Sequence, residues 1–120
     1  MIRSKIVTAI VTASAFFATA AFAADISGAF GNTVKMTNAK GNYEFYWKED
    51  GTVGVKLPDG SADTAKWTLA GNDLCAVSDK DASKHCFMVP DGPSKAVGDK
   101  WEGKDDEGND ASFEMVAGAP

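Results

Sequence analysis

Apolar residues recur at every second position in short runs from residue 33 to residue 116, and each run ends in a cluster of Gly, Asn, Asp or Pro. Alternation with period two places successive side chains on opposite faces of a pleated strand, and the flanking turn residues limit each strand's length. The pattern predicts eight strands, over residues 33–37, 42–48, 52–57, 65–70, 74–77, 84–89, 99–104 and 111–116. In the second of these, Tyr43, Phe45 and Trp47 share one face while Glu44, Tyr46 and Lys48 take the other. Asp50-Gly51 is a strong hairpin signal because both residues tolerate positive φ. Pro90 and Pro93, which lack an amide proton, stop the ladder after the sixth strand. Past residue 23 no run of ten or more residues carries a helical apolar period, and only a short turn around residues 26–30 is expected. The expected fold class is therefore all-β: one small antiparallel meander of about eight strands, curled into a small barrel or a two-sheet sandwich, lipocalin-like in miniature.

The start of the chain follows different rules. Arg3 and Lys5 open it, residues 6–20 are apolar and uncharged, and Ala21-Phe22-Ala23 offers small residues at both cleavage-specificity positions. An apolar run of about 15 residues is short of the roughly 20 that a spanning helix needs, and no second such run follows. Residues 1–23 are expected to be a signal peptide, cleaved after Ala23 or Ala24, and residues 24–120 a single β domain. No cysteine follows the cleavage position, which closes the lipoprotein route. The expected location is the bacterial periplasm or the exterior, with no membrane insertion after cleavage.

Charge narrows the function. Losing Arg3 and Lys5 from the 12 cations leaves ten lysines against 17 acids, a net charge of −7 and no arginine. Nucleic-acid binders need a basic stripe and bidentate phosphate clamps need guanidinium, so both classes are excluded.

Cys75 and Cys86 are the two cysteines, an even number suited to one disulfide in an oxidising compartment. The bridge would close a 12-residue loop, for which loop entropy gives roughly 3 kcal/mol. A redox motif wants its cysteines two apart, and a zinc site wants more ligands than two cysteines and one histidine.

Gly31-Asn32-Thr33, the aromatic strand over residues 43–47, Asp50-Gly51-Thr52-Val53, Trp67, Leu74-Cys75 and Cys86 together resemble a pattern of small exported β-domain proteins of Gram-negative bacteria. The resemblance spans about residues 30–89. It implies a fold, a disulfide and a compartment, and brings no catalytic residues with it.

Catalytic chemistry finds little footing. His85 is the single histidine and would have to be every general base at once; Ser83 or Ser78 could complete a Ser-His-Asp set on paper, but no nucleophile elbow surrounds them. Glycoside cleavage needs two acids about 5 to 9 Å apart in unlike environments. Every acid here is expected in a turn or on a solvent face, where nothing raises a pKa. Asp79, Asp81 and Ser83 have the alternation of a calcium loop, yet Lys84 stands where glycine is required and Pro90 where glutamate is. Asp105, Asp106, Glu107 and Asp110 read as a solvated acidic hairpin tip. His85 and Met88 point to opposite faces of a strand and cannot share a copper ion. No metal or cofactor is expected.

Surface recognition remains. Tyr43, Phe45, Trp47, Val53, Val55, Trp67 and Phe113 are expected to fill the interior, leaving little room for a carried ligand. Tyr46 and Trp101 are then the candidate exposed aromatic anchors, with Asp105, Asp106 and Glu107 as an acidic approach surface. The expected function is a non-enzymatic protein-interaction module whose partner carries a basic patch, regulating an exported sensor domain or inhibiting a cationic enzyme such as lysozyme. A carrier of a small apolar ligand is the alternative, and a small hydrolase a more distant one.

Overall fold

The computed structural model describes residues 23–120. The leader expected over residues 1–23 therefore lies outside the described residues, save for Ala23. Eight strands follow a single turn of 3-10 helix at Ser27–Ala29: β1 (Thr33–Asn38), β2 (Gly41–Trp47), β3 (Thr52–Lys56), β4 (Ala62–Ala70), β5 (Asp73–Ser78), β6 (Lys84–Met88), β7 (Lys100–Lys104) and β8 (Asp110–Val116). They form one antiparallel sheet in the order β6-β5-β4-β3-β2-β1-β8-β7, curled into a nearly closed barrel. Between the sandwich and the barrel, the structure takes the barrel. β4 starts three residues before its expected Ala65, because Ala62 and Asp63 pair with Lys56 and Val55 although neither brings a large apolar side chain to the pattern.

Three of the turns, after β2, β3 and β5, share one device. Asp50, Asp59 and Asp81 each accept, on Oδ1, both the backbone N–H and the hydroxyl of the residue two positions on. The distances are 2.9 and 2.6 Å at Thr52, 2.9 and 2.6 Å at Ser61, and 3.0 and 2.7 Å at Ser83. These Asx turns stop the ladder where the side chain offers the backbone an alternative partner. The middle residue of each has positive φ: Gly51 at 92°, Gly60 at 87° and Ala82 at 60°. A β-carbon costs energy in that left-handed region, and only the third turn carries one.

Period-two burial follows from the register. Val34, Met36, Phe45, Trp47, Val53, Leu74 and Met115 point inward and are buried. Val53, 1% exposed, is the most enclosed, and burying a side chain of its size contributes about 1.5–3 kcal/mol. Tyr43, Val55, Trp67 and Phe113, expected beside them, pack against this core while staying partly exposed. Trp67 also donates from Nε1 to the Lys48 carbonyl at 2.8 Å, tying β4 to the β2–β3 turn. Three alanines, Ala65, Ala76 and Ala111, occupy inward positions that a rule based on bulky residues passes over.

Cys75 and Cys86 are directly opposite each other on β5 and β6 and are disulfide-bonded, with Cα atoms 4.0 Å apart. The bridge staples β6, whose other edge has no paired strand, to the body of the sheet.

Candidate functional site

The barrel fails to close between β6 and β7, and an apolar cavity lies at that seam. Its wall is built from alternate residues on neighbouring strands: Val34, Phe45 and Trp47 from β1 and β2, Leu74 and Phe87 from β5 and β6, and Trp101, Phe113 and Met115 from β7 and β8. The volume open to the centres of water-sized molecules is about 80 Å³, within about 630 Å³ of atom-free space that includes the mouth. The former is several times the roughly 10–15 Å³ a cavity needs to hold one water. The expected filling of the interior by bulky side chains is therefore corrected. Inward side chains beside an unpaired seam have no opposite strand to interdigitate with, so bulky residues leave a hollow between them.

The aromatic walls brace one another. Phe45 stacks on Trp47 with centroids 5.7 Å apart, and Phe87 meets Phe45 edge-on at 5.4 Å. Trp101 and Phe113, cross-strand partners on β7 and β8, stack at 5.6 Å with planes 7° apart. Gly103 makes room for this pair, since a Cβ there would come within 3.1 Å of the Phe113 ring. Walls that pack on one another before a ligand arrives lower the ordering cost of binding.

Two segments outside the sheet complete the lining. The link from β6 to β7 contributes Val89, Pro90, Ser94 and Lys95, and the chain before β1 contributes Asp25, Ile26 and Ala29. The link is pinned at both ends, by Val89 N–H to the Asn72 carbonyl at 2.8 Å and by Gly98 N–H to the Met115 carbonyl at 2.9 Å. Between these points the two segments dock directly. Gly28 N–H donates to Ser94 Oγ at 2.8 Å, and a Cβ on Gly28 would lie 2.1 Å from the Lys95 carbonyl oxygen. Only glycine permits that approach. Met88, 69% exposed, stands at the mouth.

The residues singled out for partner binding fall in three separate places. Trp101 is half-buried and turned to the cavity. Tyr46 lies on the outer face with its ring over Gly54, its cross-strand partner, and donates to Glu44 Oε1 at 2.8 Å. Burial, reinforced by the Glu44 carboxylate, raises the phenol above its ordinary pKa.

The acidic tip between β7 and β8 is bonded inward. Asp105 is buried, at 5% exposure, which corrects its placement on a solvated tip and the expectation that no acid leaves the surface. It accepts from Glu107 N–H at 2.9 Å, Asn109 N–H at 2.8 Å and Asn38 Nδ2 at 3.0 Å. Burial pushes its carboxyl upward, but these donors outweigh that and hold it below the usual range. Glu107 pairs with Lys40 at 2.7 Å, and Asp106 pairs with His85. Asn38, Lys40 and His85 thus each take one of the three acids.

The structure brings Ser83, His85 and Asp106 together: Ser83 Oγ lies 3.2 Å from Nε2 of His85, whose Nδ1 meets Asp106 Oδ2. A triad sends the serine proton to the histidine. Here the Ser83 hydroxyl donates to Asp81 Oδ1 at 2.7 Å, so its proton is not directed at the ring. The His85 side chain is 50% exposed, so nothing excludes water. The cluster is a tie between β6 and the β7–β8 turn. Ser78, the other serine considered, donates to Asp63 Oδ2 at 3.0 Å. Among the described residues no three of His, Cys, Asp or Glu are grouped to hold a metal ion.

Fold and site together define an eight-stranded antiparallel barrel, stapled by one disulfide, with an aromatic cavity at an open seam. No known protein family, curated protein or solved structure matches the chain.

Proposed function

We propose that this protein is a non-enzymatic binder of a small apolar molecule, acting in an oxidising compartment outside the cytoplasm. The observation that carries the reading is the aromatic-walled cavity at the β6–β7 seam, an apolar hollow with few polar groups, which is the usual character of a small-molecule site. The disulfide and the expected leader support the compartment. Titration of the disulfide-bonded protein with 1-hexanol, followed by tryptophan fluorescence, tests it. Saturable binding that Ala29→Leu weakens is expected, because Ala29 is a small buried residue of the lining. A response that never saturates, or that ignores the substitution in a folded variant, would sink the reading.

A second reading, an outer face that engages a protein with a basic patch, has Tyr46 in its favour. Its ring lies on the outer face with the Glu44 carboxylate bonded to its hydroxyl. An association rate that falls steeply with added salt and a dissociation rate raised by Tyr46→Ala would favour it.

A further inference from the structure

Resting on the reading of the seam cavity as a binding site, we infer that its ligand is a small monocarboxylic acid, with the apolar body inside and the carboxylate on Lys95. Three lining side chains besides Pro90, the two tryptophans and the apolar ones decide this: Asp25, Ser94 and Lys95. Asp25 is occupied, its two oxygens taking the backbone N–H and the hydroxyl of Ser27 at 2.9 and 3.1 Å. Ser94 is occupied as well, accepting from Gly28 and donating to the Lys95 carbonyl at 3.1 Å.

The Lys95 ammonium is the one cation of the lining among the described residues, beside the neutral indole N–H donors of Trp47 and Trp101. It forms no ion pair among the described residues and rests over the Trp101 ring, 5.4 Å from its centroid. That ring is itself cavity wall, so the charge sits where the apolar lining meets the mouth. A cation held on an aromatic face at the rim of an apolar hollow attracts an anionic head and repels a cationic one, and its three N–H donors suit carboxylate oxygens. One lysine brings a single positive charge, which balances one carboxylate but not the nearly doubly charged head of a phosphate monoester. The cavity, at about 80 Å³ for water-sized centres, suits a short apolar body.

Heptanoate, 1-hexanol and hexylammonium, each with a six-carbon chain on its head group, are titrated at neutral pH and 0.15 M salt into the protein, Lys95→Gln and Lys95→Arg. Heptanoate is expected to bind about fivefold more tightly than hexanol, the upper range for one partly exposed ion pair. Lys95→Gln should remove that preference, and Lys95→Arg should restore most of it. If hexanol equals heptanoate, if hexylammonium binds best, or if Lys95→Gln keeps the preference, the carboxylate assignment is overturned while the apolar site stands. If none of the three binds saturably, the site reading itself falls, and this inference with it.

Discussion

His85 on β6 and Asp106 in the turn after β7 are bonded side chain to side chain across the one gap in the sheet where sequence neighbours do not pair. The pair is half-exposed, so its worth to global stability is small, about 1 kcal/mol or less. Its effect is local, because β6 has a ladder partner, β5, on only one side. His85→Ala and Asp106→Asn should leave the melting temperature within a few degrees of the parent and speed amide exchange in β6 more than in β2 or β3. Equal protection of β6 in parent and variants would show that the pair is not a tie.

The Cys75–Cys86 bridge makes a larger difference. Replacing both cysteines with serine should lower unfolding free energy by about 2–4 kcal/mol, measured by urea denaturation. Thiol titration of the unfolded, unreduced protein should find none. Two reactive thiols per chain would contradict the bond.

Acid should unfold the protein through its aspartates. The hydroxyl and backbone N–H of the residue two positions on hold Asp50, Asp59 and Asp81 below the usual carboxylate range; Lys66 and Thr64 do so for Asp79. Asp105 is lowered too, its donors overcoming burial. A carboxyl lowered by folding adds stability above its unfolded pKa, about 3.9 for aspartate, and loses it as pH falls through the folded value. Urea midpoints should therefore be level from pH 7 to about 5 and drop below about 4. Asp105→Asn should lower the midpoint at pH 7, with a gap to the parent that narrows as the pH falls. A gap that stays constant down to pH 3 would remove Asp105 from this account.

Ala82 offers a gain. It takes φ of 60° in a turn whose counterparts carry Gly51 and Gly60. A left-handed β-carbon costs roughly 1–2 kcal/mol, and glycine gives back part of that through the freedom of the unfolded chain. Ala82→Gly should raise stability by about 0.5–1 kcal/mol, seen as a rise of a few degrees in melting temperature. A fall would mean that Ala82 makes contacts worth more than its strain.

The strands and the disulfide were legible because their signals are local: alternation within five to nine residues, Asp-Gly turns, and two cysteines in a chain that reads as exported. The cavity was not legible, because it depends on what fails to happen between β6 and β7, which no property of either segment states. Trp101 has the same alternation as an outward residue would in a strand of lysines and glutamate, and only its pairing with Phe113 fixes its face. Asp105 is hidden for a related reason. In sequence it is one more acid in a turn, and the side chain that bonds it there, Asn38, is 67 residues away.

The sheet has seven strand pairings, and six of them join neighbours along the chain. The exception is β1 with β8, where Lys35 lies opposite Glu114 and Thr33 Oγ1 donates to the Gly118 carbonyl at 2.7 Å. Hairpins can zip as each turn emerges, whereas the first strand keeps one edge bare until the last is made. Bringing together ends that far apart costs loop entropy before any contact repays it, which makes that single pairing the slow step expected of assembly. For a chain delivered amino end first, the exposed edge of β1 is thus the template most open to a wrong partner, and the final seven-residue strand is what retires it.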